Sequence, residues 1–122
     1  MRGISAYKSV SLESSDQRKL VLLCFEALIR RQDEATVAFD ENRYLDAVEA
    51  LRVAREIYSE LLVSLDHEAA PEMSGQLASL YDFCIRELAM AGQDMSNERI
   101  PNTLRVTTEL YEGFKAAFDA NE

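Results

Sequence analysis

The stretch NRYLDAVEALRVAREIYSELLVSL, residues 42–65, decides the reading of the chain. Ala47, Leu51, Ala54, Tyr58, Leu61 and Leu65 recur in it at a strict four-three alternation. That spacing gathers all six on one side of a helix and on neither face of a strand, whose period is two. Asn42 is placed to cap this helix, which is expected to stop near Leu65.

Working outward, the same period appears on both sides. Toward the N-terminus, Leu20, Cys24, Ala27, Leu28, Ile29, Ala35, Ala38 and Phe39 recur at three- and four-residue spacing, with Ser15 as N-cap, Asp16 in the first turn and an end near Asp40. Toward the C-terminus, residues 66–70 form a turn, and Pro71 suits the first position of a third helix, where its missing N–H has no partner to lose. The inner stripe of that helix reads Met73, Leu77, Leu80, Cys84, Leu88 and Ala91. Residues 92–97 interrupt the pattern. Pro101 fits the first turn of a fourth helix, whose inner residues are Ile100, Leu104, Thr107, Tyr111, Phe114 and Phe118. No period-two alternation occurs. The expectation is an all-α chain with helices at about 16–40, 43–65, 71–91 and 100–119, forming one domain over residues 1–122. Connections this short favour antiparallel neighbours, hence an antiparallel up-down four-helix bundle, preceded by a flexible segment at 1–14.

Composition agrees. Ala, Leu, Glu, Arg and Lys supply close to half of the 122 residues, against four Gly and two Pro. Thirteen basic and twenty-two acidic residues leave a formal charge of −9, which repels nucleic-acid phosphates and anionic headgroups. Neither nucleic acid nor a membrane surface is an expected partner. With no apolar leader at its start and no apolar run long enough to span a bilayer, the chain reads as cytoplasmic.

The same inventory limits chemistry. His67, the only histidine, lies in a turn with Ser64 three residues before it. A di-iron bundle built on Glu-x-x-His is therefore excluded, and His67 reads as a solvated loop residue. Cys24 and Cys84 stand sixty positions apart inside apolar patterns, as reduced, buried thiols and not as a CxxC pair. One misplaced histidine and three lysines leave no base for a Ser or Cys nucleophile, and the glycines never cluster into a phosphate cradle. No enzyme, cofactor or metal site is expected.

A binding surface fits better. Placed at 100° per residue, the first helix confines Lys19, Glu26, Arg30, Asp33 and Glu34 to a narrow sector and leaves roughly 200° of arc apolar. Val21, Phe25 and Ile29 fall at the margin of that arc, and Leu23 falls among the charges. In the third helix Phe83 and Met90, one heptad apart, form a second stripe beside Gln76, Glu87 and Asp94. Ile4, Tyr7 and Val10 recur three apart in the N-terminal segment and are candidates to cap the surplus apolar surface. A disordered segment, or one that touches a partner directly, is the alternative.

Particular strings resemble the FliS family of flagellin export chaperones. Residues 80–88, LYDFCIREL, are similar to its third-helix pattern of Leu-Tyr-Asp-aromatic followed by Arg-x-Leu, with Ala91 beyond. Residues 15–26 are similar to its first-helix opening. Leu51, Ala54, Ile57, Leu61, Leu65 and Asp66 match its second helix, and Leu110 with Phe114 the end of its fourth, so the resemblance runs from about Tyr7 to Phe118. Asp16 stands where the family usually has proline, Phe25 where it has tyrosine, Ala27 where it has glycine and Phe114 where it has tryptophan. The resemblance implies a non-catalytic role: binding the disordered C-terminal segment of flagellin in the cytosol and preventing polymerisation before secretion. Export-apparatus components join flagellin as implied partners, and the free protein is expected as a monomer or weak homodimer. The expected partner-binding residues are Leu22, Leu23, Phe25, Ile29, Phe83 and Met90. An adaptor that binds another amphipathic helix is the alternative.

Overall fold

A computed structural model describes residues 15–120. Four helices follow one another: α1 (Ser15–Asp40), α2 (Tyr44–Val63), α3 (Pro71–Asp94) and α4 (Ile100–Ala120). Each packs on its neighbours in sequence, and α4 returns to α1 to close a ring of four. Cross-links fix the direction. Phe25 stacks on Phe114 with ring centroids 5.4 Å apart, Gln32 bonds Thr103 and Thr107, and Asp40 accepts from Asn97 Nδ2 at 2.8 Å. As α1 runs forward its partners on α4 run backward, so the two helices are antiparallel.

The corners explain the differences from the expected boundaries. Asn42 does not cap α2. It is the left-handed residue that ends α1, with φ 59°: its N–H reaches Phe39 O at 3.1 Å and the Arg43 N–H reaches Ala38 O at 2.8 Å. These are the paired bonds of a Schellman ending, in which asparagine tolerates positive φ better than most side chains. α2 therefore starts at Tyr44, and Leu65, beyond its last turn, remains buried. α3 runs three residues past Ala91 because Gly92 keeps helical geometry, and a second Schellman ending closes at Met95, φ 52°, with Ser96 N–H on Ala91 O at 3.1 Å. α1 already begins at Ser15, one residue ahead of expectation.

The α2 stripe is as expected: Ala47, Leu51, Ala54, Tyr58, Leu61 and Leu65 are all buried. The other helices turn slightly from their expected faces. α1 buries Val21, Phe25, Leu28, Gln32, Ala35 and Phe39, a four-three series in its own right, whereas Leu20 is 55% exposed and Cys24 only half-buried. α3 buries Ser74 and Tyr81 in place of Met73 and Leu80, and α4 buries Thr103 in place of Leu104. In α1 and α4 the seam passes through polar side chains that a search for apolar residues steps around. Ser74 is held by its own bond, Oγ to Asp66 O at 2.9 Å.

Those polar side chains meet inside the bundle. Gln32 Nε2 donates to Tyr58 Oη at 2.9 Å and to Leu28 O at 3.1 Å. Thr103 Oγ1 donates to Gln32 Oε1 at 2.6 Å. Thr107 Oγ1 donates to Thr103 O at 2.8 Å, so the Tyr58 hydroxyl is the donor in its own short bond to Thr107. All four are buried. Mutual satisfaction is what makes such a layer tolerable, since a buried polar group left unpaired costs about 1–3 kcal/mol.

Candidate functional site

The expected binding residues divide into three groups. Phe25 is a core residue, fully buried and stacked on Phe114. Its expected place on an open surface is corrected, because the α1 seam runs through Val21 and Phe25 and turns Leu20 outward. Leu22 and Ile29, one heptad apart, lie half-buried on one flank of α1; Ile29 shares a groove with Tyr111, which places that flank toward α4. Leu23 lies on the outer face, 58% exposed.

Phe83 and Met90 occupy one flank of α3. Phe83 packs partly against the core, and Met90 is 41% exposed. Leu80, Phe83, Glu87, Met90 and Asp94 follow at three- and four-residue steps along this flank. Arg99, just before α4, fixes its direction by pairing with Glu87 at 2.9 Å and Asp94 at 3.5 Å. The flank therefore faces the α3–α4 junction, the sparsest contact of the ring. Two partly open apolar flanks thus border α4, one from each neighbouring helix. The structure does not merge them into a single patch, since α4 stands between.

Residues of α4 complete these margins, and the sequence reading either missed them or assigned them elsewhere. Val106 and Leu110 are half-buried against the core, and Tyr111, expected in the inner stripe, lines the groove with Ile29 while Lys115 Nζ sits 5.9 Å from its ring centroid. The signal for Val106 and Leu110 is present as apolar residues one step off the expected inner stripe. Ile4, Tyr7 and Val10 lie outside the described residues.

The arrangement offers little to catalysis. Burial pushes the Cys84 thiol up to about 11, and burial also raises Cys24. Both are protonated near neutrality and poor nucleophiles. Tyr58 is raised as well, chiefly by desolvation. His67 is exposed in the α2–α3 connection. Among the described residues there is no group of three or more His, Cys, Asp or Glu that could hold a metal ion. No helix among them is long and apolar enough to cross a membrane.

Comparison with known proteins agrees with this geometry. A solved structure described as a flagellar chaperone from bacteria superposes with a TM-score of 0.81 over 92% of this chain and 90% of its own, at 20% identity, which supports the four-helix fold. The flagellar secretion chaperone FliS of Campylobacter jejuni is 26% identical over 91% of this chain and 87% of its own length. The FliS of Escherichia coli K12 is 28% identical over 74% of this chain and 70% of its own. The family model described as flagellar protein FliS matches residues 1–121, and the chain belongs to that family of flagellar secretion chaperones.

Proposed function

We propose that this protein holds the disordered C-terminal segment of flagellin in the bacterial cytosol and keeps it from polymerising until it is exported. The observation that carries the reading is the pair of apolar flanks bordering α4, Leu22 with Ile29 on one side and Phe83 with Met90 on the other, neither fully absorbed by the core. A segment destined for a helical filament has apolar stripes of its own, and laying them into such margins masks them without nucleotide or covalent chemistry. Ordering a flexible client is entropically costly, so two separate margins serve better than one compact pocket by lengthening the contact. Leu23 extends the contact over the outer face of α1. We propose further that the segment bearing Ile4, Tyr7 and Val10 caps part of this surface in the free chaperone, a monomer or weak homodimer.

Calorimetry with a peptide spanning the C-terminal segment of flagellin tests the reading. Expected are one-to-one binding, a negative heat-capacity change from apolar burial, and affinity that changes little with salt, since screening acts mainly on exposed charges. Met90→Glu should weaken binding by about tenfold or more, equivalent to ~1.4 kcal/mol, while leaving thermal unfolding nearly unchanged. Deleting residues 1–11 should tighten binding by freeing the surface. Absence of binding, or binding indifferent to Met90→Glu, overturns the assignment.

A further inference from the structure

We propose that α4 is a separately opening unit of the bundle, latched by the buried hydrogen bonds that Thr103 and Thr107 make with Gln32 and Tyr58. The proposal does not depend on which client the chaperone holds.

α4 is joined to the fold unlike the other helices. The α1–α2 and α2–α3 junctions are extensive, whereas the junction of α3 with α4 is the sparsest of the four. In the first half of α4, Thr103 and Thr107 are the buried residues after Ile100, with Leu104, Val106 and Leu110 only half-buried beside them, so its innermost contacts with Gln32 and Tyr58 are hydroxyl hydrogen bonds. Separating apolar groups exposes them to water with no compensation, whereas separated hydrogen-bonding groups find partners in water. The threonines are also prepared for release. Thr103 Oγ1 lies 3.0 Å from Ile100 O and Thr107 Oγ1 lies 2.8 Å from Thr103 O, so each has a partner within α4 itself. Gln32 likewise keeps its bond to Leu28 O inside α1.

Closing is governed by the same groups with the opposite result. If α4 returned one heptad out of place, Leu110 and Phe114 would stand where Thr103 and Thr107 now meet Gln32 and Tyr58. Gln32 Oε1 would then lose the Thr103 donor and the Tyr58 hydroxyl its Thr107 acceptor, a cost that an all-apolar seam would not impose. The latch therefore releases readily and re-forms in one register. Because Leu22 and Ile29 border one side of α4 and Phe83 and Met90 the other, loosening this helix widens both margins together.

Amide hydrogen exchange on the full chain, followed residue by residue by NMR at low denaturant, tests this. Amides of residues 104–112 are expected to exchange at least about tenfold faster than those of residues 51–61, with a shallower denaturant dependence, because one helix exposes less surface than the whole chain. Thr107→Val, close in shape but unable to bond Tyr58, should accelerate exchange in α4 at least about fivefold. Exchange of α4 at the same rate and with the same denaturant dependence as α2 overturns the separate opening. An α4 rate unchanged in Thr107→Val overturns the latch.

Discussion

α2 and α4 are helices of similar length built on the same four-three spacing, yet they are held in different ways. Every seam position of α2 from Ala47 to Leu61, and Leu65 just beyond it, is apolar or, at Tyr58, aromatic with a single hydroxyl at its tip. α4 meets the core through Thr103 and Thr107 before Phe114 and Phe118 resume an apolar contact. Apolar area drives association without specifying register, and hydrogen-bonding groups specify register while adding little net stability. The bundle thus separates the two tasks, with α2 supplying cohesion and the Gln32 layer supplying alignment.

The largest expected effect tests the cohesive half. Leu51→Ala removes a fully buried side chain and should cost about 2–5 kcal/mol in denaturant unfolding. A value near zero would mean that α2 does not anchor the core. Gln32→Ala comes next: it removes the acceptor of the Thr103 hydroxyl and the amide that donates to Tyr58 Oη, and it opens a void, for about 2–4 kcal/mol in the same measurement. Gln32→Leu fills the void and should cost less, so an equal loss in both variants would show that volume, not hydrogen bonding, is what Gln32 provides.

A pH series examines the α3 side of the same layer, where the Cys84 thiol hydrogen-bonds the Tyr58 hydroxyl. The Cys84 thiol has a folded pKa of about 11 against an ordinary 9.0, raised first by burial. Below about pH 9 both states hold the proton and stability is unaffected. As pH rises from 9 to 11 the unfolded chain releases its proton first, so stability falls across that window. Cys84→Ala should flatten the decline, and an unchanged slope would assign it to other groups. The smallest effect compares the two left-handed corners. Asn42 suits its position, whereas Met95 carries a Cβ and a long side chain at φ 52°. Met95→Gly should stabilise by about 0.5–1 kcal/mol, and Asn42→Gly by less.

Legibility in the sequence followed the same division. Four helices, their order and the whole α2 seam could be read because apolar residues there coincide with buried ones. The apolar period places the α1 seam one residue early, at Leu20 and Cys24, because Gln32 breaks the series that leads from Val21 through Phe25 and Leu28 to Ala35. That displaced seam assigns Phe25 to a partner, whereas it stacks inside the bundle. On α4 the apolar period selects Leu104 in place of Thr103 on the same ground. Burial of Gln32 depends on partners 26 to 75 positions away, and a local period carries no trace of them. Phe83 and Met90 could be recognised as surplus apolar surface because that property is local to one helix. The facing of their flank toward α4 required Arg99 and its two carboxylates.

The antiparallel ring has a topological consequence. Phe25 rests on Phe114, and Phe114 on Phe118 at 5.9 Å, so the start of α1 and the end of α4 emerge side by side at one end of the bundle. A short flexible bridge could join them, and the chain could then be cut in the α2–α3 connection, where His67 and Glu68 are exposed. Such a circular permutant would retain all four helix junctions while α4 became an internal helix, continuous with α1. The order in which the helices are synthesised is thus separable from the contacts that hold them.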